Sequence, residues 1–108
     1  LLSSLFYLFI NTNQIKKAEH TLSEMIKCIE NDALSPSWEY RTLSHEYFHV
    51  ADRYYMLGNY KKSIHYFKKC IELDPDDCLN HLHLSISLSM EGEYNKGLEA
   101  LNYSEKLT

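Results

Sequence analysis

The chain has 108 residues, of which 44% are hydrophobic and 24% are charged, and its formal net charge is −4 at pH 7. This length suits one domain, whose apolar residues are sufficient for a core spread along a stack of elements. Lysine and arginine are scattered rather than clustered, which argues against a nucleic-acid surface, so no DNA or RNA partner is expected.

The cysteines and the first ten residues bear on the cellular setting. Cys28, Cys70 and Cys78 are an odd number without CxxC spacing, which favours buried free thiols in a reducing, cytoplasmic compartment. Residues 1–10 are apolar but too few to span a bilayer, and they lack the basic start of a signal peptide. Because the sequence does not begin with Met, we expect it to be part of a longer chain.

The first thirty residues predict a helical hairpin over about residues 2–30. One helix runs from Leu2 to Ile10, and the polar residues 11–13 can cap the helices on both sides of a turn. Apolar residues at helical spacing then predict a second helix that begins at Ile15.

An insertion at about residues 31–41 separates this hairpin from the next within a single domain of residues 1–108. Ser35 can cap a helix whose first residue is Pro36, so the next helix is expected to be lengthened at its start. Trp38 is expected either to pack the insertion against the first hairpin or to stay exposed as an anchor for a partner.

A second hairpin is predicted over about residues 37–74. Apolar and aromatic residues recur at helical spacing on both sides of a central turn. Gly58 can adopt the left-handed conformation at the turn, Asn59 can cap the following helix, and Pro75 cannot prolong it. Each helix is apolar on one side only, so the hairpin needs neighbours of the same kind.

The third hairpin, predicted over about 77–107, repeats the second at an offset of 34 residues. The Gly-Asn-Tyr of residues 58–60 recurs as the Gly-Glu-Tyr of residues 92–94, and His49 recurs as His83. A helix-turn-helix unit of this period resembles the tetratricopeptide repeat. That family's pattern is matched by Tyr47, Val50, Ala51, Tyr54, Ser63, Phe67 and Pro75 in the second hairpin, and by His81, Leu84, Ser85, Leu88, Gly97 and Leu101 in the third.

The resemblance implies an all-α fold, in which antiparallel helical hairpins stack as a right-handed tetratricopeptide-like α-solenoid of about six helices. It covers residues 44–108 clearly and residues 1–30 as a degenerate repeat. In the degenerate repeat, Phe6 stands where a small residue belongs and Glu19 stands where the second hairpin has Ile64. A bulky Phe6 is expected to hold its two helices further apart than usual. His81 takes a large inward position and is expected in the core.

Residues 45–49 read HEYFH, which resembles the HExxH helix of zinc metallopeptidases. Two histidines at this spacing can hold zinc while the glutamate activates water. However, no third ligand follows at that family's spacing, and Glu72 lies on a surface strip of the next helix that does not face the two histidines. Tyr47 and Val50 of the same helix are also expected in the core of the repeat. We therefore predict no enzyme, no cofactor and no metal site. Incidental zinc or nickel binding by His45, His49 and His83 is a weaker alternative.

The resemblance further implies that the front helices form a concave surface that cradles a segment or helix of a protein partner. One subset of the family grips chaperone carboxyl termini with Lys, Asn and Arg, but the equivalent places here hold Ser4, His49, Leu79 and His83, which disfavours that ligand. An apolar or mixed peptide is expected instead. The predicted contact residues are Tyr7, Asn11, His45, His49, Asp52, Met56, Leu79, His83, Ile86 and Met90.

Three functions follow from these patterns. The first is a non-catalytic interaction scaffold that binds a partner on the concave surface. The second is a structural segment of a larger assembly, which associates through the Trp38 insertion or through the uncovered apolar side of Leu98, Leu101 and Leu107. The third and weakest is an HExxH zinc metallopeptidase.

Overall fold

The computed structural model describes residues 2–30 and 37–107, and of residues 37–42 it describes the backbone alone. Within these ranges the chain forms helices and no strand, which confirms the predicted all-α fold of stacked hairpins. The helices are α1 (Leu2–Asn11), α2 (Ile15–Glu30), α3 (Ser37–Met56), α4 (Tyr60–Leu73), α5 (Cys78–Met90) and α6 (Tyr94–Lys106).

The helices pack as three consecutive hairpins, α1 with α2, α3 with α4, and α5 with α6. Neighbouring hairpins meet mainly where α2 packs on α3 and α4 packs on α5. The resulting stack measures 39 × 30 × 18 Å. Helix α3 has 20 residues against 13 in α5, and it begins at Ser37. The predictions for Ser35, Pro36 and the Trp38 side chain lie outside the described residues.

The turns within the hairpins use left-handed backbone conformations at equivalent places. Gly58 has φ +80° and Gly92 has φ +89°, while Asn13 adopts φ 58° in the first hairpin. Glycine reaches this region without steric cost, and Asn is among the few other residues that tolerate it. Asn59 caps α4, as predicted, because its side chain accepts a hydrogen bond from the Lys62 amide.

The core consists of two clusters, each shared between neighbouring hairpins. Stacking therefore covers the apolar sides that a single hairpin would leave in water. The cluster between the first and second hairpins contains Phe6, Ile10, Ala18, Leu22, Met25, Leu43, Val50 and Tyr54. The cluster between the second and third contains Ala51, Ile64, Phe67, Cys70, Leu84 and Leu88.

Close approach of α5 and α6 depends on a small residue at position 97. A Cβ atom added to Gly97 would lie 2.8 Å from Ser89 Oγ and 3.1 Å from the Ser85 carbonyl oxygen. The Ser85 hydroxyl also donates a 2.8 Å hydrogen bond to the Gly97 carbonyl oxygen. The repeat pattern predicts a small residue here, and this packing gives the physical reason.

The predictions of burial for His81 and Cys70 are confirmed, the one for Cys28 is wrong, and Cys78 is a free thiol that is only half-buried. His81 is buried, and its Nε2 lies 2.9 Å from the Pro75 carbonyl oxygen. Cys70 is a buried free thiol, and burial raises its pKa to about 12. Cys28 was expected to be buried but is exposed, because it lies on the solvent side of α2.

No helix within the described ranges combines the length and the apolar character that crossing a bilayer requires.

Phe6 is completely buried at the place where the repeat pattern has a small residue. Its ring lies edge-on to Tyr7, with 5.2 Å between centroids. The first hairpin thus contributes a large aromatic ring to the core.

Candidate protein-binding surface

Ring contacts connect the three odd-numbered helices. The aromatic row consists of Tyr7 on α1, His49 and Phe48 on α3, and His83 on α5. The Tyr7 and His49 centroids are 5.4 Å apart, and the Phe48 and His83 centroids are 4.8 Å apart, both in edge-to-face geometry. Aromatic pairs prefer such arrangements. The contacts show that α1, α3 and α5 lie side by side, and their exposed sides are called the front wall below.

Phe48 is the member of the aromatic row that the sequence analysis missed. Its ring lies beside both His49 and His83, so the two predicted neighbours flank one phenyl group. Phe67 on α4 packs against two members of the row: its ring centroid lies 5.4 Å from that of Phe48 and 5.6 Å from that of His83. Helical spacing could have identified Phe48, since it lies three residues after His45 and four residues before Asp52, which are both predicted contact residues.

Exposed large apolar side chains are distributed unevenly among the helices. Helices α2 and α4, which are described in full, expose none of them. Such side chains are normal singly, whereas a contiguous group marks an interaction surface. The front wall exposes Leu5 and Leu8 on α1, Met56 on α3, and Leu79, Ile86 and Met90 on α5. Helix α6, which is not part of the front wall, exposes Tyr94, Leu98 and Tyr103.

The ten predicted contact residues are all accessible to solvent. Tyr7, Asp52 and His83 are half-buried, and the other seven are exposed. Those seven are Asn11, His45, His49, Met56, Leu79, Ile86 and Met90. None of the ten is buried in the core, so each remains a proposed contact.

The surroundings of His49 favour its uncharged form. Although the His49 side chain is open to solvent on one side, its ring loses water where it meets Tyr7 and Phe48, and this desolvation lowers its pKa. Nearby His45 and Arg53 act in the same direction, while Asp52 opposes them. The His49 imidazole is therefore neutral at neutral pH. A neutral imidazole can accept one hydrogen bond and donate one, which suits a polar group within an apolar partner segment.

Glu46 of the HExxH motif is only 2% exposed. Its Oε1 accepts a hydrogen bond of 3.4 Å from the Tyr7 hydroxyl, and its Oε2 is buried without a partner. Burial raises the pKa of the Glu46 carboxyl, although Tyr7 and His45 lower it in part. A carboxylate enclosed in this way is poorly placed to activate a water molecule. Among the described residues, no group of three His, Cys, Asp or Glu side chains converges on a metal position.

The buried Glu46 carboxyl predicts a pH-dependent stability. Because its pKa is raised in the folded state, its stabilising contribution is present below the ordinary carboxyl pKa of 4.5 and is lost as the pH rises through the folded pKa. We expect Glu46→Gln to raise the free energy of unfolding at neutral pH by on the order of 1 kcal/mol, since an unpaired buried oxygen then carries no charge.

The measurement is chemical denaturation of both proteins at neutral pH and near pH 4.5. The advantage of Glu46→Gln should shrink at the lower pH. Glu24→Gln is the control, because Glu24 is partly exposed and forms ion pairs with His20 and Lys27. An advantage of equal size at both pH values would show that ionisation of Glu46 does not cause the effect.

Comparison with known proteins agrees with this architecture. Residues 44–77 match the family model of the tetratricopeptide repeat, which confirms the repeat recognised in the sequence. No curated protein matches the chain. A solved structure named MamA MSR-1 C2 is similar over 98% of this chain, with a TM-score of 0.70 and 15% sequence identity. The chain spans 55% of the length of that structure, and the likeness shows a shared fold.

Proposed function

We propose that this chain is a non-catalytic protein-binding module that holds a segment of a partner protein against the front wall. The tetratricopeptide repeat at residues 44–77 and the stack of helical hairpins support a protein–protein interaction scaffold in general. The observation that carries the more specific proposal is that the helices of the aromatic row, α1, α3 and α5, all expose large apolar side chains, whereas α2 and α4 expose none and those of α6 lie outside the front wall.

The front wall suits a partner segment with apolar and neutral polar groups. Its apolar side chains can cover those of the partner, and the aromatic row adds ring faces and imidazole nitrogens. Buried aromatic contacts at the centre of an interface usually carry a large share of the binding energy. Tyr7, His49 and His83 therefore form the proposed centre, with the exposed apolar side chains around them.

The test changes exposed residues, so that loss of binding is not confused with loss of folding. Leu79 is 53% exposed and Met90 is 51% exposed on α5. We expect Leu79→Asp combined with Met90→Asp to weaken partner binding at least about tenfold, because two carboxylates would be desolvated against an apolar segment. The measurement is the affinity of an identified partner for each variant, with circular dichroism to confirm helical content.

The matched control carries two substitutions to Asp on α6. Tyr94 is 67% exposed and Leu98 is 56% exposed, so Tyr94→Asp with Leu98→Asp adds the same charge to a different face. This control should bind the partner as the original chain does. Equal binding by the α5 variant and the original chain would exclude the front wall.

A second function is favoured by the exposed apolar residues of α6. Tyr94, Leu98 and Tyr103 are exposed, and Leu101 and Leu107 are half-buried. We propose that the exposed apolar side chains of α6 support a structural role, in which the hairpins associate with further subunits of an assembly. Light scattering over a range of concentrations distinguishes the two functions: association that disappears in Tyr94→Asp with Leu98→Asp would support the structural role.

A further inference from the structure

A pocket lies where the turn between α1 and α2 meets the end of α3. Its volume of about 430 Å³ is near the lower end of the range of roughly 300–1,000 Å³ for ligand pockets. The size suits one or two side chains of a bound segment. The lining residues are Ile10, Asn13, Ile15, Arg53, Met56 and Leu57.

Arg53 is the charged residue of this lining. Its Nη1 donates a 3.3 Å hydrogen bond to Asn13 Oδ1, and among the described residues no carboxylate lies within ion-pair distance of its guanidinium. A guanidinium has five N–H donors and matches a carboxylate in shape. The Arg53 side chain therefore keeps donors for an acidic group on a partner.

The helix ends at the pocket also favour an acidic group. Ile15 is the first residue of α2, and the first amides of a helix carry partial positive charge. At the end of α3, two of the carbonyl oxygens are already engaged, because the Leu57 amide donates to the Arg53 carbonyl oxygen and the Asn59 amide donates to the Tyr54 carbonyl oxygen. Of the nearby carboxylates, Glu19 is engaged by the Tyr54 and Tyr66 hydroxyls, and Asp52 does not line the pocket.

We propose that this pocket binds an apolar side chain of a partner segment while Arg53 pairs with an Asp or Glu side chain of the same segment. Met56, which is 67% exposed, belongs both to the pocket and to the front wall. The pocket and the front wall therefore adjoin, and we assign the carboxylate to a side chain within a segment that passes across both. This inference rests on the proposed function and adds the chemistry of the partner.

The two recognised side chains must point to the same side of the segment. In an extended segment, residues two apart share a face. The probe is therefore acetyl-Ser-Leu-Ser-Glu-Ser-amide, which has blocked termini and one such pair. Titrated into the isotopically labelled protein, it should cause saturable amide shifts at Ile15, Arg53 and Leu57, with a dissociation constant on the order of 1 mM.

Two changes should each weaken this binding about fivefold, namely Gln in place of Glu in the probe and Arg53→Gln in the protein. Lys61→Gln is the matched control, because it removes one positive charge from an exposed side chain outside the pocket and should leave the affinity unchanged. A third probe, acetyl-Ser-Leu-Ser-Gln-Ser with a free carboxyl terminus, tests whether the terminal carboxylate of a peptide can replace the Glu side chain.

Several outcomes would overturn the proposal. These are the absence of saturable shifts, equal binding of the Glu and Gln probes, or tighter binding of the probe with the free terminal carboxylate. Loss of partner binding in the Leu79→Asp, Met90→Asp protein would still support the front wall in each case, because neither residue lines this pocket. Failure of the pocket is thus distinguishable from failure of the proposed function.

Discussion

Replacing Phe67 with alanine is expected to lower the free energy of unfolding by about 3–5 kcal/mol. Phe67 is 1% exposed on α4, where its ring packs against Phe48 and His83. Removing it leaves a cavity between the second and third hairpins, and the neighbouring rings lose their support. Because a domain is stable by only about 5–15 kcal/mol, this single change should remove a large part of the stability.

The measurement is chemical denaturation followed by helical circular dichroism. Leu98→Ala is the control, because Leu98 is 56% exposed and its truncation should change the stability by less than about 0.5 kcal/mol. Hydrogen exchange adds a spatial readout: protection should fall first in α4 and α5, which share the damaged cluster. A loss below about 1 kcal/mol for Phe67→Ala would mean that this ring is not central to the core.

Replacing Glu19 with alanine is expected to cost about 3 kcal/mol, because two hydrogen bonds to a charged group are lost. The Glu19 carboxylate accepts hydrogen bonds from the hydroxyls of Tyr54 and Tyr66, and it thereby ties α2 to both helices of the second hairpin. The two tyrosine rings are stacked, with 5.9 Å between their centroids. Lys62 completes the group, with its Nζ 3.4 Å from the Tyr54 hydroxyl.

Tyrosine titration gives a second readout for Glu19. Burial raises the pKa of Tyr54 and of Tyr66, and the hydrogen bond to Glu19 raises each further. The contribution of these tyrosines to stability is therefore complete below the ordinary pKa of 10.0 and is lost as the pH rises through their folded pKa values. In Glu19→Ala, tyrosinate absorbance should appear at lower pH than in the original chain.

Glu24→Ala on the same helix is the matched control for Glu19→Ala. Glu24 forms ion pairs with exposed His20 and Lys27, which are worth less than about 1 kcal/mol. Equal losses of stability for the two variants would show that the tyrosine contacts of Glu19 add nothing. An unchanged tyrosine titration in Glu19→Ala would lead to the same conclusion.

The helical hairpins could be predicted because they depend on residues close together in the chain. The turn at Gly58, the cap at Asn59 and the inward position of His81 each follow from spacing within one repeat. The match at residues 44–77 and the stacked helices bear out this part of the interpretation. The proposed contacts on the front wall follow from the same register, and mutation will test them.

Burial around single side chains was harder to predict. Cys28 was expected in the core with the other thiols, yet it is exposed. Cysteine is small and mostly apolar, so its type says little about which side of a helix it occupies. Glu46 shows the opposite case, since the HExxH motif emphasises its chemistry, whereas in the fold it is buried and contacts Tyr7 on another helix.

The sequence alone determined the class of fold, the repeat and the turns, because helical periodicity and turn chemistry act over a few residues and recur with a period of 34. Tertiary structure alone decided that Phe48 joins His49 to His83, and that Arg53 meets the turn of the first hairpin. It also decided that Glu19 bonds to Tyr66, 47 residues away. These contacts depend on how one hairpin sits on the next, and local spacing does not fix that arrangement.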